Sequence, residues 1–365
     1  MRFEAITPEQ AFWSDREDLS IEFTRLLALA QEGGSTVAQC LRAASRIDFS
    51  DDDSWHAEWM RIADKNRERG DAALRDGNVL TSNSNWLRAI GYYQAASFPF
   101  ERSDKQYQAA VGNMRRCAAS YVRHRDPPGE VILIPWPGFY PLEAYLLPPR
   151  NDPGPWPVVI CIGEPGMRKE EYLFKTARYA NQRGMSLLAV DLLGAGPDAQ
   201  FDEVAGRSDL ETAIGHIMDY LVERADVDRT RIAILADGCG SSFVARSIVF
   251  DDRFAAAVCD GGLWDLHERA FLMGGTPFET EFLRQGLSRV ARNIKCPVLI
   301  STGERAWLTP DRVRELYDHV KASGCDLTLK IFEDGETAVM QGHADNPTLA
   351  NEYIFDWISS RLGIS

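Results

Sequence analysis

The chain has 365 residues, of which 45% are hydrophobic and 26% are charged, and its formal net charge is −14. Its length fits one large domain and a smaller one, because domains of roughly 100–250 residues are usual. The composition excludes general disorder, and the negative charge without a basic cluster excludes a nucleic-acid partner.

The chain carries no sign of a membrane span, a leader or a metal site. No run of about 18 apolar residues occurs, and the opening residues MRFEAITPEQAFWSD lack a basic segment followed by an apolar one. We therefore predict a cytoplasmic protein without a membrane partner. The seven cysteines are scattered, odd in number and without a CxxC pair, which favours buried free thiols. We expect no cofactor and no metal ion.

Residues 1–125 are predicted to form a helical N-terminal domain that serves as a cap. Apolar residues recur there at helical spacing, and nothing alternates like a strand. Helices are expected at residues 18–44, 53–76, 84–96 and 104–122. We also expect this domain to offer the surface for a homodimer, if the chain forms one.

Residues 126–365 are predicted to form an α/β domain with a doubly wound, mostly parallel sheet. The segment EVILIPWPGFYPLEAYLLPPR indicates two strands joined by a Pro/Gly turn. Short buried strands then alternate with amphipathic helices, which is the pattern of a parallel sheet covered on both faces. The stretch from Asp265 to Asn293 interrupts this alternation, and we predict a helical excursion there.

One turn in this domain resembles a catalytic elbow without its nucleophile. Strand RIAILA leads into Asp237-Gly238-Cys239-Gly240-Ser241 and then into a helix. In α/β hydrolases a sharp strand-to-helix turn of this kind, Gly-x-Ser-x-Gly, carries the catalytic serine. The serine position is occupied by Gly238.

From about residue 84 onward, the chain resembles the helical-capped α/β hydrolases that include dihydroxypseudooxynicotine hydrolase and the fermentation/respiration switch protein. The resemblance depends on several segments in the same order and spacing: NWLRAIGYYQAA, AYLLPP, VVICIGEPGMRKEEY, LLAVDLLGAG, ADVDRTRIAILADGCGSS, VCDGGLWD and KCPVLISTGERAWLTP. It implies the α/β-hydrolase fold with an N-terminal helical cap domain, and it does not specify a reaction.

The resemblance also implies where the rest of a Ser/Asp/His triad belongs. The acid position, after Gly303, is occupied by Ala306, and the histidine position, after the last strand, is occupied by Thr337. The three former triad positions are thus Gly238, Ala306 and Thr337. Losing one triad member already costs roughly 10⁴- to 10⁶-fold in rate, so we expect no acyl-enzyme hydrolysis.

Other groups could still support chemistry. The backbone N–H groups of Glu164 and Cys239 occupy the two oxyanion-hole positions of this fold. Glu164 stands where the family has glycine, and its carboxylate could act as a general base or form a salt bridge with Arg168 or Arg305. His343 is a second candidate, because its loop could return it to the pocket, although a surface or loop-stabilising role is also open. Asp237 is a third, although a structural role beside the elbow is also open.

Several residues are expected to line a substrate pocket, namely Arg305, Trp307, Trp264, Asp265 and His267; Asp260 is expected at its rim. Tryptophans at these loops and in the cap, Trp55, Trp59 and Trp86 among them, favour a large aromatic small-molecule substrate, although tryptophan also fills cores.

These features predict a non-hydrolytic enzyme acting on a bulky aromatic or polyketide-like biosynthetic intermediate. The reaction would form a C–C bond by Michael- or aldol-type addition, or close a ring, with an enolate held by the backbone oxyanion hole. Two alternatives stay open. The chain could be an inactive pseudo-hydrolase that binds a ligand or regulates a partner, or an unusual hydrolase without a serine nucleophile.

Overall fold

The chain consists of two compact units. The computed structural model describes residues 12, 13, 15–136, 141–150, 153–163, 167–192, 210–263 and 291–364. The helical unit comprises Met1–Arg125, Leu173–Lys175 and Ala344–Thr348. The sheet unit comprises Asp126–Tyr172, Thr176–His343 and Leu349–Ser365.

The described residues of Met1–Arg125 form five helices. They are α1 (Glu17–Ala28), α2 (Val37–Ala44), α3 (Asp52–Arg75), α4 (Val79–Ser97) and α5 (Lys105–His124). The prediction of one helix over residues 18–44 is wrong. Helix α1 ends at Ala28, Gly33 adopts a φ of +80°, and the Thr36 side chain accepts a hydrogen bond from Gln39 N to begin α2.

Three tryptophans lie in the core of the helical unit. Trp55 and Trp59 are fully buried and Trp86 is 1% exposed. Trp55 donates its indole N–H to the carbonyl of Ala95 at 2.7 Å, and Trp59 stacks on Tyr92. These three tryptophans therefore stabilise the helical unit, and they give no support to the expected aromatic ligand.

The described part of the sheet unit contains one sheet of eight strands. They are β1 (Glu130–Ile134), β2 (Leu142–Leu147), β3 (Trp156–Ile162), β4 (Ser186–Val190), β5 (Val227–Asp237), β6 (Ala256–Asp260), β7 (Val298–Gly303) and β8 (Leu327–Phe332). The strand order is β1-β2-β4-β3-β5-β6-β7-β8, and β2 is antiparallel to both neighbours while the other pairs are parallel. The predicted doubly wound, mostly parallel sheet is confirmed.

Helices follow the strands of this sheet. They are α6 (Tyr172–Lys175), α7 (Ala177–Gln182), α8 (Leu210–Val222), α9 (Gly240–Phe250), α10 (Pro310–Lys321) and α11 (Pro347–Arg361). The segment EEYLFKTARYANQRG, residues 170–184, has the apolar spacing of one amphipathic helix but is broken into short pieces. The excursion expected from Asp265 to Asn293 lies almost wholly outside the described residues. None of the described helices is both long and apolar enough to span a membrane.

The central strands carry the main core of the sheet unit. All five residues of β4 and all five of β6 are buried, as expected for parallel strands covered on both faces. Because β3 to β8 run parallel apart from their pairing with β2, their carboxyl ends lie at one edge of the sheet. Polar groups at this edge are the candidates for function.

Candidate active site at the carboxyl edge of the sheet

Three buried polar side chains lie side by side at this edge. Asp237 ends β5 and is paired in register with Asp260, which ends β6. Asp260 is in turn paired with Ser301 on β7. Residues in register on parallel strands project to the same face, and all three are at most 4% exposed. The fold therefore concentrates two carboxyl groups and a hydroxyl beside the elbow.

Asp260 is held by a histidine and a serine. His343 Nε2 lies 2.7 Å from Asp260 Oδ1, and Ser301 Oγ donates to the same oxygen at 2.8 Å. The side chains of His343 and Asp260 are 3% and 4% exposed. A buried carboxylate requires such partners, since an unpaired buried charge is costly.

The other nitrogen of His343 also faces an acceptor. Nδ1 lies 2.7 Å from the carbonyl oxygen of Ala338, which can only accept, so Nδ1 carries a proton. A bare Nε2 lone pair would repel the carboxylate of Asp260 at 2.7 Å. The pair therefore holds one proton between Nε2 and Oδ1, and both ring nitrogens of His343 are engaged.

The loop that carries His343 has a strained backbone. Thr337, Ala338 and His343 have φ values of +68°, +61° and +56°, a region that non-glycine residues seldom adopt. Gly303 permits this path, because a Cβ there would lie 2.2 Å from the carbonyl oxygen of Val339. Arg305 N donates to the same oxygen at 2.9 Å. The strain indicates that the surrounding structure forces the loop to place His343 against Asp260.

The elbow keeps its shape without a nucleophile. Gly238 adopts a φ of +51°, and its N–H donates to the backbone carbonyl of Asp260 at 2.6 Å. Cys239 is the N-cap residue of α9 and is 1% exposed, packed in the core of the sheet unit. The thiol therefore occupies the core, and the residue at the nucleophile position has no side chain.

Asp237 bonds to a tyrosine from the segment after β3. Tyr172 Oη donates to Asp237 Oδ2 at 2.5 Å, and both residues are buried. Burial raises the pKa of Tyr172 well above its ordinary value, and the neighbouring Asp237 raises it further. Tyr172 therefore stays protonated and serves as a donor. This contact gives Asp237, predicted as a catalytic candidate, a structural bond beside the elbow.

A buried ion cluster fixes the start of the same segment. Lys169 Nζ lies 2.6 Å from Asp191, 2.9 Å from Glu143 and 3.0 Å from Glu170, and Lys169 is 1% exposed. Burial alone would lower the pKa of Lys169, but Asp191 and Glu170 outweigh it and hold the pKa well above its ordinary value. Tyr145 also donates to Glu170. Burial raises the pKa of Asp191 in this cluster, and the ion pairs join β2, the carboxyl end of β4 and the segment after β3.

The remaining predicted positions after β7 and β8 are more exposed. Ala306 lies in the turn after β7, and the Thr337 hydroxyl donates to the adjacent carbonyl of Glu336. Arg305 pairs with Asp334 at 2.6 Å on the surface. Trp307 is 62% exposed, and its backbone N–H donates to Gln341 Oε1 at 3.2 Å. Of these residues, only Trp307 presents a large apolar surface.

Four predicted site residues, Glu164, Trp264, Asp265 and His267, lie outside the described residues. Their roles as general base, oxyanion donor and pocket lining therefore stay predictions. Within the described ranges, no group of three or more histidine, cysteine, aspartate or glutamate residues could hold a metal ion.

The sequence placed the acid and histidine positions at Ala306 and Thr337 and so missed the Asp260–His343 pair. In the structure His343, six residues beyond Thr337, contacts Asp260, which ends β6. The aspartate at the end of the apolar run AAAVCD could have indicated an acid at this edge of the sheet. The missing element at the elbow is the nucleophile itself.

Comparisons with known proteins agree with this architecture. Residues 48–268 match the family described as Esterase FrsA-like. The chain is 30% identical over 261 residues to hydrolyase poxO of Penicillium oxalicum, covering 68% of this chain and 62% of that protein. It is 28% identical to 20-hydroxy-prefusarin hydrolase FUS2 of Gibberella moniliformis, covering 68% and 61%. The chain thus spans about three fifths of the length of these relatives.

Solved structures show the same fold. 2,6-Dihydroxy-pseudo-oxynicotine hydrolase superposes with a TM-score of 0.75 at 20% identity, covering 92% of this chain and 95% of that one. AbyA5 superposes with a TM-score of 0.67 at 19% identity, covering 96% of each chain. The predicted α/β-hydrolase fold is confirmed, and the chain belongs to the FrsA-like esterase family.

Proposed function

We propose that this chain is a non-hydrolytic enzyme that forms a C–C bond or closes a ring in a bulky biosynthetic intermediate by way of an enolate. The observation that carries the proposal is the order of groups at the sheet edge. Gly238, at the nucleophile position, has no side chain. Its N–H donates to the backbone carbonyl of Asp260, and His343 contacts the carboxylate of Asp260.

The contacts of His343 differ from those of the catalytic histidine in a serine hydrolase. In the triad, the histidine contacts the serine with one ring nitrogen and the acid with the other. Here both nitrogens of His343 meet other acceptors, at Ala338 and at Asp260. His343 is thereby a charge partner for Asp260, and the carboxylate of Asp260 is the group placed to exchange a proton with a substrate at the elbow.

The proposed step conserves protons. Asp260 takes a proton from a substrate carbon that is acidified by adjacent carbonyl groups, and the C–H electron pair becomes an enolate. The positive end of α9, which begins at Gly240, favours the developing negative charge. The enolate carbon then attacks a second carbonyl carbon of the substrate, and Asp260 returns the proton to the alkoxide formed. No oxidant or reductant is required.

Two observations favour a bulky natural-product intermediate as the substrate. The name of the Gibberella relative specifies 20-hydroxy-prefusarin as its substrate, which favours a natural-product intermediate. The exposed indole of Trp307 favours an aromatic or otherwise planar group. The oxyanion role of the Glu164 and Cys239 N–H groups belongs to the same proposal.

A ring-closure assay tests the proposal. The probe 1-phenylhexane-1,5-dione closes by an intramolecular aldol reaction and loses water to give a conjugated enone, which is followed by absorbance. We expect the wild-type protein to accelerate closure and to leave p-nitrophenyl acetate intact. Asp260→Asn should lower the closure rate by about 10²- to 10⁴-fold, the usual contribution of a positioned acid or base.

The matched control is Asp252→Asn, which removes an exposed carboxylate of the same unit and should leave closure unchanged. Closure that is equally fast in Asp260→Asn contradicts the proposed role of Asp260. A wild-type protein that catalyses neither reaction contradicts the proposed function and favours a ligand-binding protein.

A further inference from the structure

Asp237 brings a second carboxyl group beside the Asp260–His343 pair. Asp237 and Asp260 end neighbouring parallel strands and are partners in register, so their side chains project to the same face from strands about 4.8 Å apart. The N–H of Gly238 also ties the two strand ends together, because it donates to the Asp260 carbonyl at 2.6 Å. Asp237 is 3% exposed and Asp260 is 4% exposed, so little solvent screens one charge from the other.

A tyrosine fixes the carboxyl group of Asp237 in this position. Tyr172 Oη donates to Asp237 Oδ2 at 2.5 Å, and Tyr172 is fully buried. A hydrogen bond donated to a carboxylate favours its charged form. The contact therefore orients Asp237 and supports its negative charge.

The adjoining groups on β6 and β7 are neutral. Ser301 Oγ, from β7, donates to Asp260 Oδ1 at 2.8 Å. Cys259 precedes Asp260 on β6, and burial raises the pKa of its thiol to about 12, so the thiol stays protonated at neutral pH. Asp237 on β5 differs from both because it brings a negative charge.

Strand β8 brings an aromatic ring and a balanced ion pair toward His343. The ring of Phe332 meets the ring of His343 nearly edge-on, with 4.9 Å between the centroids. Lys330 lies over the same phenyl ring, and its ammonium group pairs with Glu336 at 2.8 Å. The charge of Lys330 is thus balanced by a carboxylate outside the pair.

We propose that Asp237 is a positioning residue that holds the shared proton in the Asp260–His343 pair. A further carboxylate on the same face stabilises the positive charge of that proton, so the pair loses it only at a higher pH. Two unit charges about 6–7 Å apart, at an effective dielectric constant near 20, move the loss of a proton by roughly one to two pH units. The inference rests on the proposed function, in which Asp260 exchanges a proton with the substrate while His343 balances its charge.

The test is nitrogen-15 NMR of the full chain labelled at histidine, titrated from pH 6 to pH 11, which follows the loss of this proton at His343. We expect the midpoint to fall by about one pH unit in Asp237→Asn, which removes the charge and keeps an acceptor for Tyr172. The matched variant Ser301→Ala removes a hydrogen bond from the Asp260 carboxylate, makes that carboxylate more basic and should raise the midpoint.

The exposed change Asp252→Asn is the control and should leave the midpoint as in the wild type. Thermal melting verifies that each variant is folded. Carbon-13 NMR of the wild type gives a measurement that needs no variant: the Asp237 carboxyl signal should be that of a carboxylate throughout the titration. The signal of a protonated acid at neutral pH would overturn the inference.

An unchanged midpoint in Asp237→Asn overturns the inference even if the wild type closes the diketone ring. A fall of the midpoint in both Asp237→Asn and Ser301→Ala also overturns it, because only a general loosening of the site moves both in one direction. The ring-closure assay reports separately on the proposed function. A wild type that shows the expected midpoints without closing the ring contradicts that function and supports the charge relationship.

The pH profile of ring closure gives a second readout. We expect the alkaline limb of kcat/KM to move to lower pH in Asp237→Asn and to higher pH in Ser301→Ala, in step with the NMR midpoints. Limbs that stay in place while the midpoints move would show that the proton held by Asp237 has no part in the reaction, and would overturn its assignment as a positioning residue.

Discussion

His343 Nε2 lies 2.7 Å from Asp260 Oδ1, while His343 Nδ1 donates to the carbonyl of Ala338 at the same distance. A histidine held on both sides cannot accept a proton from a nucleophile without breaking one of these bonds. These contacts differ from those of a triad histidine, which contacts the serine with one ring nitrogen and the acid with the other.

Returning a serine to the elbow should not create an esterase. Gly238→Ser places a hydroxyl where the nucleophile belongs, but both nitrogens of His343 are already bonded. We expect p-nitrophenyl acetate turnover by the variant to stay at the level of the wild type. Turnover that rises and is then abolished by a second change, His343→Leu, would show that His343 can serve a serine.

Removing the histidine should destabilise the sheet unit. His343→Leu leaves the buried carboxylate of Asp260 without its charge partner, and breaking one side of a buried pair costs about 3–5 kcal/mol. Urea unfolding measures this difference in the free energy of unfolding. His319→Leu, at an exposed position, is the control and should change stability by less than about 0.5 kcal/mol. Equal effects of the two changes would refute a structural role for the pair.

Gly303 should be intolerant of even one methyl group. A Cβ at this position would lie 2.2 Å from the carbonyl of Val339, so Gly303→Ala must displace the loop that carries His343. We expect a loss of about 1–3 kcal/mol in unfolding free energy, typical of overpacking. Gly335→Ala adds a methyl group where no atom lies within 4 Å and should be nearly neutral. Similar losses in both variants would contradict the proposed contact.

Stability should fall at alkaline pH because of buried thiols. Burial raises the pKa of Cys259 from about 9 to about 12, and the pKa values of Cys117 and Cys296 also rise to about 12. The stabilising contribution is fully present below pH 9 and is lost as pH rises toward 12, since only the unfolded chain releases these protons.

Cys259→Ala removes one of these contributions. Between pH 8 and pH 10.5, the fall in unfolding free energy of the variant should be smaller than that of the wild type by about 2 kcal/mol. Urea unfolding at the two pH values measures it. An identical fall in both proteins would mean that Cys259 ionises equally easily in the folded and unfolded chains.

The sequence predicted the sheet well because each core strand has its own local signal. The segments PVVICIG, SLLAVDL and PVLISTG each contain a run of apolar residues, and each coincides with a buried strand of the sheet. Helix breaks were harder to predict. The helix break at Gly33 and Thr36 depends on backbone conformation and N-capping. The apolar residues at positions 18–44 keep helical spacing across this break and so do not indicate it.

The candidate site was only partly predictable. The glycine at the elbow is evident from its neighbours, since a strand, small residues and a helix follow one another around Gly238. The contact between Asp260 and His343 is not evident from the sequence, because 83 residues separate them. The positive φ values at Thr337 and Ala338 also change the direction of the loop. Counting positions from the last strand therefore indicated Thr337, whereas the fold brings His343 to the acid.

The most direct measurement is the protonation of His343, because the proposed chemistry requires that this residue serves Asp260 rather than a nucleophile. Nitrogen-15 NMR of protein labelled at histidine distinguishes the two ring nitrogens. At neutral pH we predict a protonated Nδ1, and an Nε2 signal that shifts on Asp260→Asn because the two groups share a proton. A bare Nδ1, or an Nε2 signal that is unaffected by Asp260→Asn, would contradict the pair and the function built on it.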